Sequence, residues 1–513
     1  MSNPTPSPLT ASSLRIEDRS QLEQFLVRPE SRRLIREASF EEVFFVIKHI
    51  GLADTLELLP IVTGRQVRGF IDLDCWRKDT FVRKPFMEWI AAFIQSGPEE
   101  TAKALSGIDE TLLALFLKDL IRVYEVERDD PPDVTQLIST PDERFAVEPI
   151  EEGQVATIGM LILDALFKYN PPLGIQILTL IRYTSRLELE ETAFENKTRR
   201  LEVHGFVDYY DALSIYAASG AGKRSSAADR DVATEDIPGE EAPGNLPAVF
   251  ADSLSGGIFL LSALEGIKDP KESDRIAQEL TALGNRILSA NLVNLGELEG
   301  VRPALEEMRD TLTIGLEYLT GGHPERASDV FQRSYMQSIF KTGFDQMAGL
   351  RDSADAMFSI PGFRLPMLDS TDREFIEGLR RFKPLMVEDG RYRNFRSIVD
   401  IESARKRLAE LDRMARTILD SPDSGAMITT TFGRAFNTAT IRIALYGIFD
   451  FAPLTAAEIA EFLIHGFQLP EMHVPEALQP FAVRWWSMLR AELEPLVGRR
   501  IDPRYLETFN LLL

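Results

Sequence analysis

The sequence predicts an all-α protein made of helix hairpins in solenoid-like repeats, arranged in two lobes joined by a flexible linker. Apolar residues recur at spacings of three and four from about residue 17 to residue 127, which is the period of an amphipathic helix. Helix start signals occur along the same segment. Ser39 and Glu42 form a capping-box pattern before an apolar run, Gly51 supplies a stop, and Asp109 caps a helix predicted to reach Tyr124.

An internal repeat of 46 residues is the second observation, found when Gly51 is aligned with Gly97. Helical solenoids have repeats of this length, and each unit buries its apolar face by stacking on the next. Two unrelated amphipathic stretches can also coincide in this way, so a chance match remains an alternative. Seven apolar pairs coincide: Leu56 with Ala102, Leu58 with Ala104, Leu59 with Leu105, Val62 with Ile108, Val67 with Leu113, Phe70 with Phe116, and Ile71 with Leu117.

Residues 17–128 form the predicted N-terminal helical repeat domain, which resembles the helical N domain of MgtE-type magnesium transporters and of flagellar motor switch proteins. The resemblance is one of helix pattern over about 110 residues, without a specific motif. It implies a right-handed helical superstructure. It carries over no magnesium site, because Asp72, Asp74 and Asp79 do not match a ligand spacing for that ion.

Composition divides the remaining chain. Residues 1–16 read as a disordered tail, and residues 129–217 as a middle helical unit that begins at a Pro/Asp-rich joint. Residues 218–247 contain no aromatic side chain and are rich in Gly, Ala, Ser, Asp, Glu and Pro, which predicts a flexible linker because such a stretch buries too little to offset its ordering entropy. Residues 248–513 form a predicted C-terminal helical domain.

Charge and hydropathy restrict the partners. The chain has 57 Lys plus Arg against 80 Asp plus Glu, so its net charge of -23 repels nucleic acid and anionic membrane surfaces. No apolar stretch approaches the roughly 18 residues of a membrane span, and the start of the chain lacks the regions of a signal peptide. One cysteine, Cys75, allows no internal disulfide. These features predict a cytoplasmic protein.

The sequence contains no motif that identifies a reaction, so we predict no catalytic residue, no cofactor and no metal site. None of the five histidines has a glutamate three residues before it, the spacing of metal pairs in helical bundles. His204 lies four residues before Asp208, but Gly205 interrupts the helix between them, so a structural role is expected. A polar run from Glu188 to Arg200, which includes Lys197, is interpreted as a solvated helix face.

A basic segment within this acidic chain is the candidate binding site. Residues 380–407 contain nine basic and four acidic residues, with aromatic rings between them. Arginine next to aromatic rings suits recognition of phosphate or carboxylate groups. Arg391, Arg393 and Arg396 are the candidates for binding an anion or an acidic partner. Internal salt bridges with acidic faces of the same fold are the favoured interpretation of this segment, and nucleic-acid binding is the least favoured.

The order of these parts resembles a bacterial family of proteins with a domain of unknown function. The stretches that suggest it are residues 199–216 (RRLEVHGFVDYYDALSIY), 332–343 (QRSYMQSIFKTG) and 501–513. The resemblance implies a cytoplasmic bacterial protein and no particular activity.

The favoured interpretation is a non-catalytic protein–protein interaction or regulatory scaffold, because helix hairpins create extended surfaces and no activated nucleophile is visible. The alternative is an enzyme whose site is assembled from sequence-distant carboxylates in a helical bundle. The expected partner is a protein, and the sequence sets no oligomeric state. Converging carboxylates or histidines in a pocket would favour the enzyme, whereas an exposed apolar groove would favour the scaffold.

Overall fold

The computed structural model describes residues 14–129, 137–150, 154–217, 246–420, 430–465 and 479–497. It is about 70% helical, which confirms the mostly-α prediction. The chain divides into two compact units, residues 1–341 and 342–513. Residues 218–245 of the predicted linker and residues 1–13 of the predicted tail lie outside the described residues, and the predicted domain boundaries remain predictions.

The first unit begins with helices, several of which start at side-chain caps, and the cap at Ser39 was predicted from the sequence. The Ser39 hydroxyl accepts a hydrogen bond from the Glu42 amide, and Thr63 with Gln66 forms a complete capping box. A short antiparallel hairpin of two strands, β1 (Trp76–Arg77) and β2 (Thr80–Phe81), connects two of the helices. The helices are α1 (Arg19–Leu26), α2 (Ser31–Glu37), α3 (Phe40–Ile50), α4 (Gly64–Asp74), α5 (Arg83–Ser96), α6 (Pro98–Gly107) and α7 (Glu110–Lys118).

The two copies of the 46-residue repeat have the same secondary structure in only one half of the repeat. Helices α4 and α7 begin at residues 64 and 110, which are equivalent positions in the two copies. Where the second copy has α6, the first has two short 3-10 turns, Leu52–Asp54 and Leu56–Leu58. Helices α4 and α6 approach so closely that a Cβ at Gly107 would lie 2.6 Å from the Cα of Gly64. Stacking as a regular solenoid remains a prediction.

A small sheet follows α7, where the sequence interpretation expected helix. Helix α7 ends at Lys118, and the next residues form β3 (Ile121–Glu125) instead of continuing to Tyr124. The sheet has the order β3-β5-β4 and is antiparallel, with β4 (Ile138–Ser139) and β5 (Phe145–Pro149). Side chains of β3 alternate between buried and more exposed positions, which is the strand period that the helical interpretation missed.

The rest of the first unit is again helical. Helix α7 packs against both α9 (Pro171–Tyr183) and α10 (Arg186–Glu202), and α8 (Gln154–Tyr169) packs against α6. After the short helix α11 (Tyr209–Leu213), the chain continues with α12 (Ala248–Ser255), α13 (Ile258–Glu265), α14 (Pro270–Ala290), α15 (Val301–Thr320) and α16 (Ala327–Arg333). Helix α14 packs against α11 and α15.

Helix α17 (Met336–Ala356) contains the boundary between the units. The second unit continues with α18 (Ser370–Leu379), a hairpin of β6 (Met386–Glu388) and β7 (Arg391–Arg393), α19 (Ile398–Leu419), α20 (Phe432–Tyr446), α21 (Ala456–His465) and α22 (Gln479–Leu493). Its helices α20, α21 and α22 share an apolar core that includes Ile441, Ile459 and Leu489. Across the described ranges, no single helix has the length and apolar character to cross a membrane; only the pair α12 and α13, bent by 117°, meets that test together.

Candidate binding pocket

A pocket of about 700 Å³ lies in the first unit, between the β1–β2 hairpin, helix α10, the turn before α11, and the end of α14 with its following loop. Its lining combines apolar and charged side chains. The main apolar side chains are Trp76, Phe194, Leu201, Phe206, Leu288 and Leu292. The charged side chains are Asp72, Arg77, Lys78, Asp79, Lys197 and Asp208.

Lys197 lies in this pocket over two aromatic rings. Phe194, Lys197 and Leu201 follow one another at spacings of three and four on α10, so they share one face of that helix. The Lys197 ammonium nitrogen is 5.7 Å from the ring centroid of Trp76 and 4.9 Å from that of Phe194, within the range of cation–π attraction. The prediction that this part of α10 is a solvated face is therefore wrong for Lys197.

The Lys197 ammonium has no ion-pair partner in the part of the chain that the structure describes. Burial lowers the pKa of Lys197, and the positive charge of Arg200 lowers it further, while Asp72 and Asp208 act in the opposite direction. These carboxylates influence the ammonium without a direct contact. The pocket thus holds a partly desolvated cation with which no described side chain forms an ion pair.

Arg200 lies one turn after Lys197 and binds two buried carboxylates. Its Nε and Nη2 donate to the two oxygens of Asp72 at 2.8 and 2.9 Å, and its Nη1 donates to Asp109 Oδ2 at 2.7 Å. Burial raises the pKa of Asp72 against the opposing hydrogen bond from Arg200. Burial also favours a higher pKa for Asp109, but hydrogen bonds from Thr111 and Arg200 outweigh it, so the pKa of Asp109 is lowered. Asp72 is therefore committed to Arg200 and is not a free group of the pocket.

The two other pocket carboxylates also accept local hydrogen bonds. Asp208 Oδ1 accepts from the Tyr210 amide at 2.9 Å and so caps α11, and Asp79 Oδ1 accepts from the Thr80 hydroxyl at 3.2 Å. In the described ranges, no group of three or more His, Cys, Asp and Glu side chains is placed to hold a metal ion.

His204 is joined to Glu41 instead of Asp208. Its Nδ1 lies 2.9 Å from Glu41 Oε1, its backbone carbonyl accepts from Asn285 Nδ2 at 2.8 Å, and its ring packs edge-on against Phe40. Glu41 and Asn285 are fully buried. His204 therefore ties α3 to α14 behind the pocket.

The structure places the three candidate arginines of the basic segment on and just after β7. Arg391 and Arg396 are exposed, whereas Arg393 is largely buried between two carboxylates. Arg393 Nε donates to Glu388 Oε2 at 2.8 Å and its Nη1 donates to Asp400 Oδ2 at 2.7 Å, and these partners raise the pKa of Arg393. Arg393 thus has the internal pairing that was the favoured interpretation of this segment. Binding by Arg391 and Arg396 remains a prediction.

Other basic residues of this segment are also paired within the second unit. Arg380 binds Asp355, Arg407 binds Asp372, and the Arg381 guanidinium lies 3.9 Å from the ring centroid of Tyr392.

Reversing the charge of these arginines is expected to separate internal pairing from binding. Arg393→Glu places a third carboxylate beside Glu388 and Asp400, so we expect it to lower the free energy of unfolding by about 1–3 kcal/mol. Arg391→Glu combined with Arg396→Glu should change it by less than about 0.5 kcal/mol, because both side chains are exposed. Chemical denaturation of the full chain measures both. Equal losses in the two variants would contradict the pairing of Arg393.

No curated protein matches the chain. No solved structure matches it either. The likeness of residues 17–128 to the MgtE-type domain remains a prediction. One family, described as a family of unknown function (DUF6178), matches residues 3–510. Because the match covers nearly the whole chain, this protein belongs to the DUF6178 family, which confirms that it comes from a family of unknown function.

Proposed function

We propose that this protein is a non-catalytic regulatory binding protein, and that the pocket of its first unit takes up the anionic group of a ligand. The observation that carries the proposal is the Lys197 ammonium, held over Trp76 and Phe194 without an ion-pair partner in the described residues. Partial burial of an unpaired charge is unfavourable, and an anion beside it would offset that cost. A bound anion would therefore stabilise the folded first unit.

The same geometry favours binding over the enzyme alternative. A general acid or base must reach the substrate with a free titratable group, most often an imidazole or a carboxylate. Asp72 is held by Arg200, Asp208 caps a helix, and no histidine among the described residues lines the pocket. Lys197 can hold and orient an anion in a site of this kind, and neither of these two carboxylates is free to act as its acid or base partner.

The lining of the pocket also suggests how ligand binding could regulate the interaction of this protein with a partner. Its walls come from α4, α10, the turn before α11 and the end of α14, so an occupant would contact elements that are far apart in the sequence. In this proposal, an occupied pocket stiffens that part of the first unit, and the change alters the affinity for a protein partner in the cytoplasm.

Lys197→Met is expected to weaken anion binding at least tenfold without destabilising the protein. Methionine keeps the apolar stem of the side chain and removes the desolvated charge, so the melting temperature should stay equal or rise slightly. Isothermal titration of the full chain with benzoate, succinate and phenyl phosphate should show binding of at least one anion, weakened tenfold or more in the variant.

Lys168→Met is the matched control. Its ammonium also lies over a ring, 5.4 Å from the centroid of Tyr169, but Lys168 is exposed and outside the pocket. Binding should be unchanged in this variant. The proposal fails if none of the three anions binds to the unaltered protein, or if Lys197→Met binds them as well as Lys168→Met does.

A further inference from the structure

We infer that the ligand of this pocket is a small monocarboxylic acid with a flat apolar body, whose carboxylate lies on Lys197 and whose body lies against Phe194 and its apolar neighbours in the lining. This inference rests on the proposed function and names the class of ligand. Three properties of the pocket carry it: its size, its apolar walls and its charge.

The volume and the apolar lining of the pocket indicate an organic ligand instead of a bare inorganic anion. A volume of about 700 Å³ falls within the range of sites for organic ligands, and it far exceeds the space that an acetate or inorganic phosphate ion fills. Trp76 lines the pocket but is only 5% exposed, and its buried indole nitrogen has no hydrogen-bond partner in the described residues. Phe194 and Tyr209 are partly exposed and, with the exposed Leu292, supply the apolar surface of the pocket. Aromatic surfaces of this kind favour a planar, apolar body.

The charges of the pocket favour a single negative charge on the ligand. The lining contains the cations Arg77, Lys78 and Lys197 and the carboxylates of Asp72, Asp79 and Asp208, three of each sign. Arg200 does not line the pocket. It forms ion pairs with both Asp72 and Asp109, so its charge is shared between two carboxylates. A monoanion can be neutralised by Lys197 alone. A second negative charge would meet Asp208, which already acts on the Lys197 ammonium, and Asp79.

Four probes that vary one property at a time test this inference at pH 8, by isothermal titration of the full chain. They are 2-naphthylacetate, the neutral 2-naphthylethanol, acetate without a ring, and the dianionic 2-naphthyl phosphate. We expect 2-naphthylacetate to bind most tightly, and each of the other three to bind at least tenfold more weakly. Lys197→Met should remove the advantage of the acid over the alcohol, whereas Lys168→Met should keep it.

Asp208→Asn provides a second, independent test of the charge argument. Asparagine also caps helices well, so α11 should persist in this variant. Removal of this carboxylate is expected to strengthen binding of 2-naphthyl phosphate about tenfold and to change binding of 2-naphthylacetate by less than threefold. Equal gains for both ligands, or none for the phosphate, would overturn the preference for one charge.

The outcomes separate this inference from the proposed function. If 2-naphthyl phosphate or acetate binds more tightly than 2-naphthylacetate, and Lys197→Met weakens that binding, the pocket takes anions of another class and only the present inference falls. If no probe binds to the unaltered protein, or if Lys197→Met binds 2-naphthylacetate unchanged, both the inference and the proposed function fall.

Discussion

Replacing Arg200 with methionine is expected to lower the free energy of unfolding of the first unit by about 3–5 kcal/mol. Arg200 makes three hydrogen bonds to Asp72 and Asp109, whose side chains are 3% and 9% exposed. Methionine keeps much of the apolar packing of the arginine stem but leaves both carboxylates without their guanidinium. Loss of one partner from a buried ion pair costs far more than the pair itself contributes, because the remaining charge stays desolvated.

Arg199→Met is the control for this change, because Arg199 is the neighbouring residue on α10 and is exposed. We expect it to alter the free energy of unfolding by less than about 0.5 kcal/mol. Urea denaturation followed by circular dichroism measures both variants. Similar losses for Arg199→Met and Arg200→Met would show that the bonds to Asp72 and Asp109 contribute little.

The loss of unfolding free energy caused by Arg200→Met should also depend on pH. In the folded protein the pKa of Asp109 lies below its usual value for an aspartate, so the stabilisation that Asp109 provides is complete above that usual value and disappears as the pH falls through the lower, folded value. Without Arg200, both aspartates become easier to protonate in the folded state, and a protonated carboxyl is less costly to bury. The difference between the variant and the unaltered protein is therefore expected to shrink as the pH falls from 7 toward 4.

Local features of the sequence predicted local features of the structure. Ser39 and Asp109 cap helices as expected, because a cap depends on a side chain and the amides two or three residues after it. The prediction of a helix up to Tyr124 was wrong in its second half, because residues 121–125 form β3. This strand pairs with β5, which follows about 24 residues later in the chain. The alternation of apolar residues from Ile121 to Glu125 was a signal for that strand, but the preceding helical pattern dominated the interpretation.

The pocket could not be predicted in the same way, because distant segments form it. Asp72 and Arg200 are 128 residues apart, and Glu41 and His204 are 163 residues apart. Only Lys197 offered a local signal, since it lies three residues after Phe194 and four before Leu201 and so shares their face of the helix. The charge run around it concealed this position. Pairing across such distances depends on how the helices pack, which helical spacing alone does not specify.

Gly205→Ala is expected to destabilise the first unit by at least about 3 kcal/mol, because two costs coincide at this turn. Gly205 has a φ of +87°, and a Cβ there would lie 2.4 Å from the carbonyl oxygen of Ala282 and 2.8 Å from its Cα. The positive φ alone costs an alanine about 1–2 kcal/mol. The backbone of α14 cannot yield as a flexible side chain would, so the turn must move away from it.

Gly321→Ala separates these two costs. Gly321 ends α15 with a φ of +66°, and a Cβ there would meet nothing within 4 Å, so only the backbone strain of about 1–2 kcal/mol is expected. Displacement of the Gly205 turn should also disturb His204 on one side and Phe206 of the pocket on the other. We therefore expect Gly205→Ala to weaken binding of 2-naphthylacetate along with stability, whereas Gly321→Ala leaves binding intact. Equal losses of stability in the two variants, measured by urea denaturation, would contradict the close approach of this turn to α14.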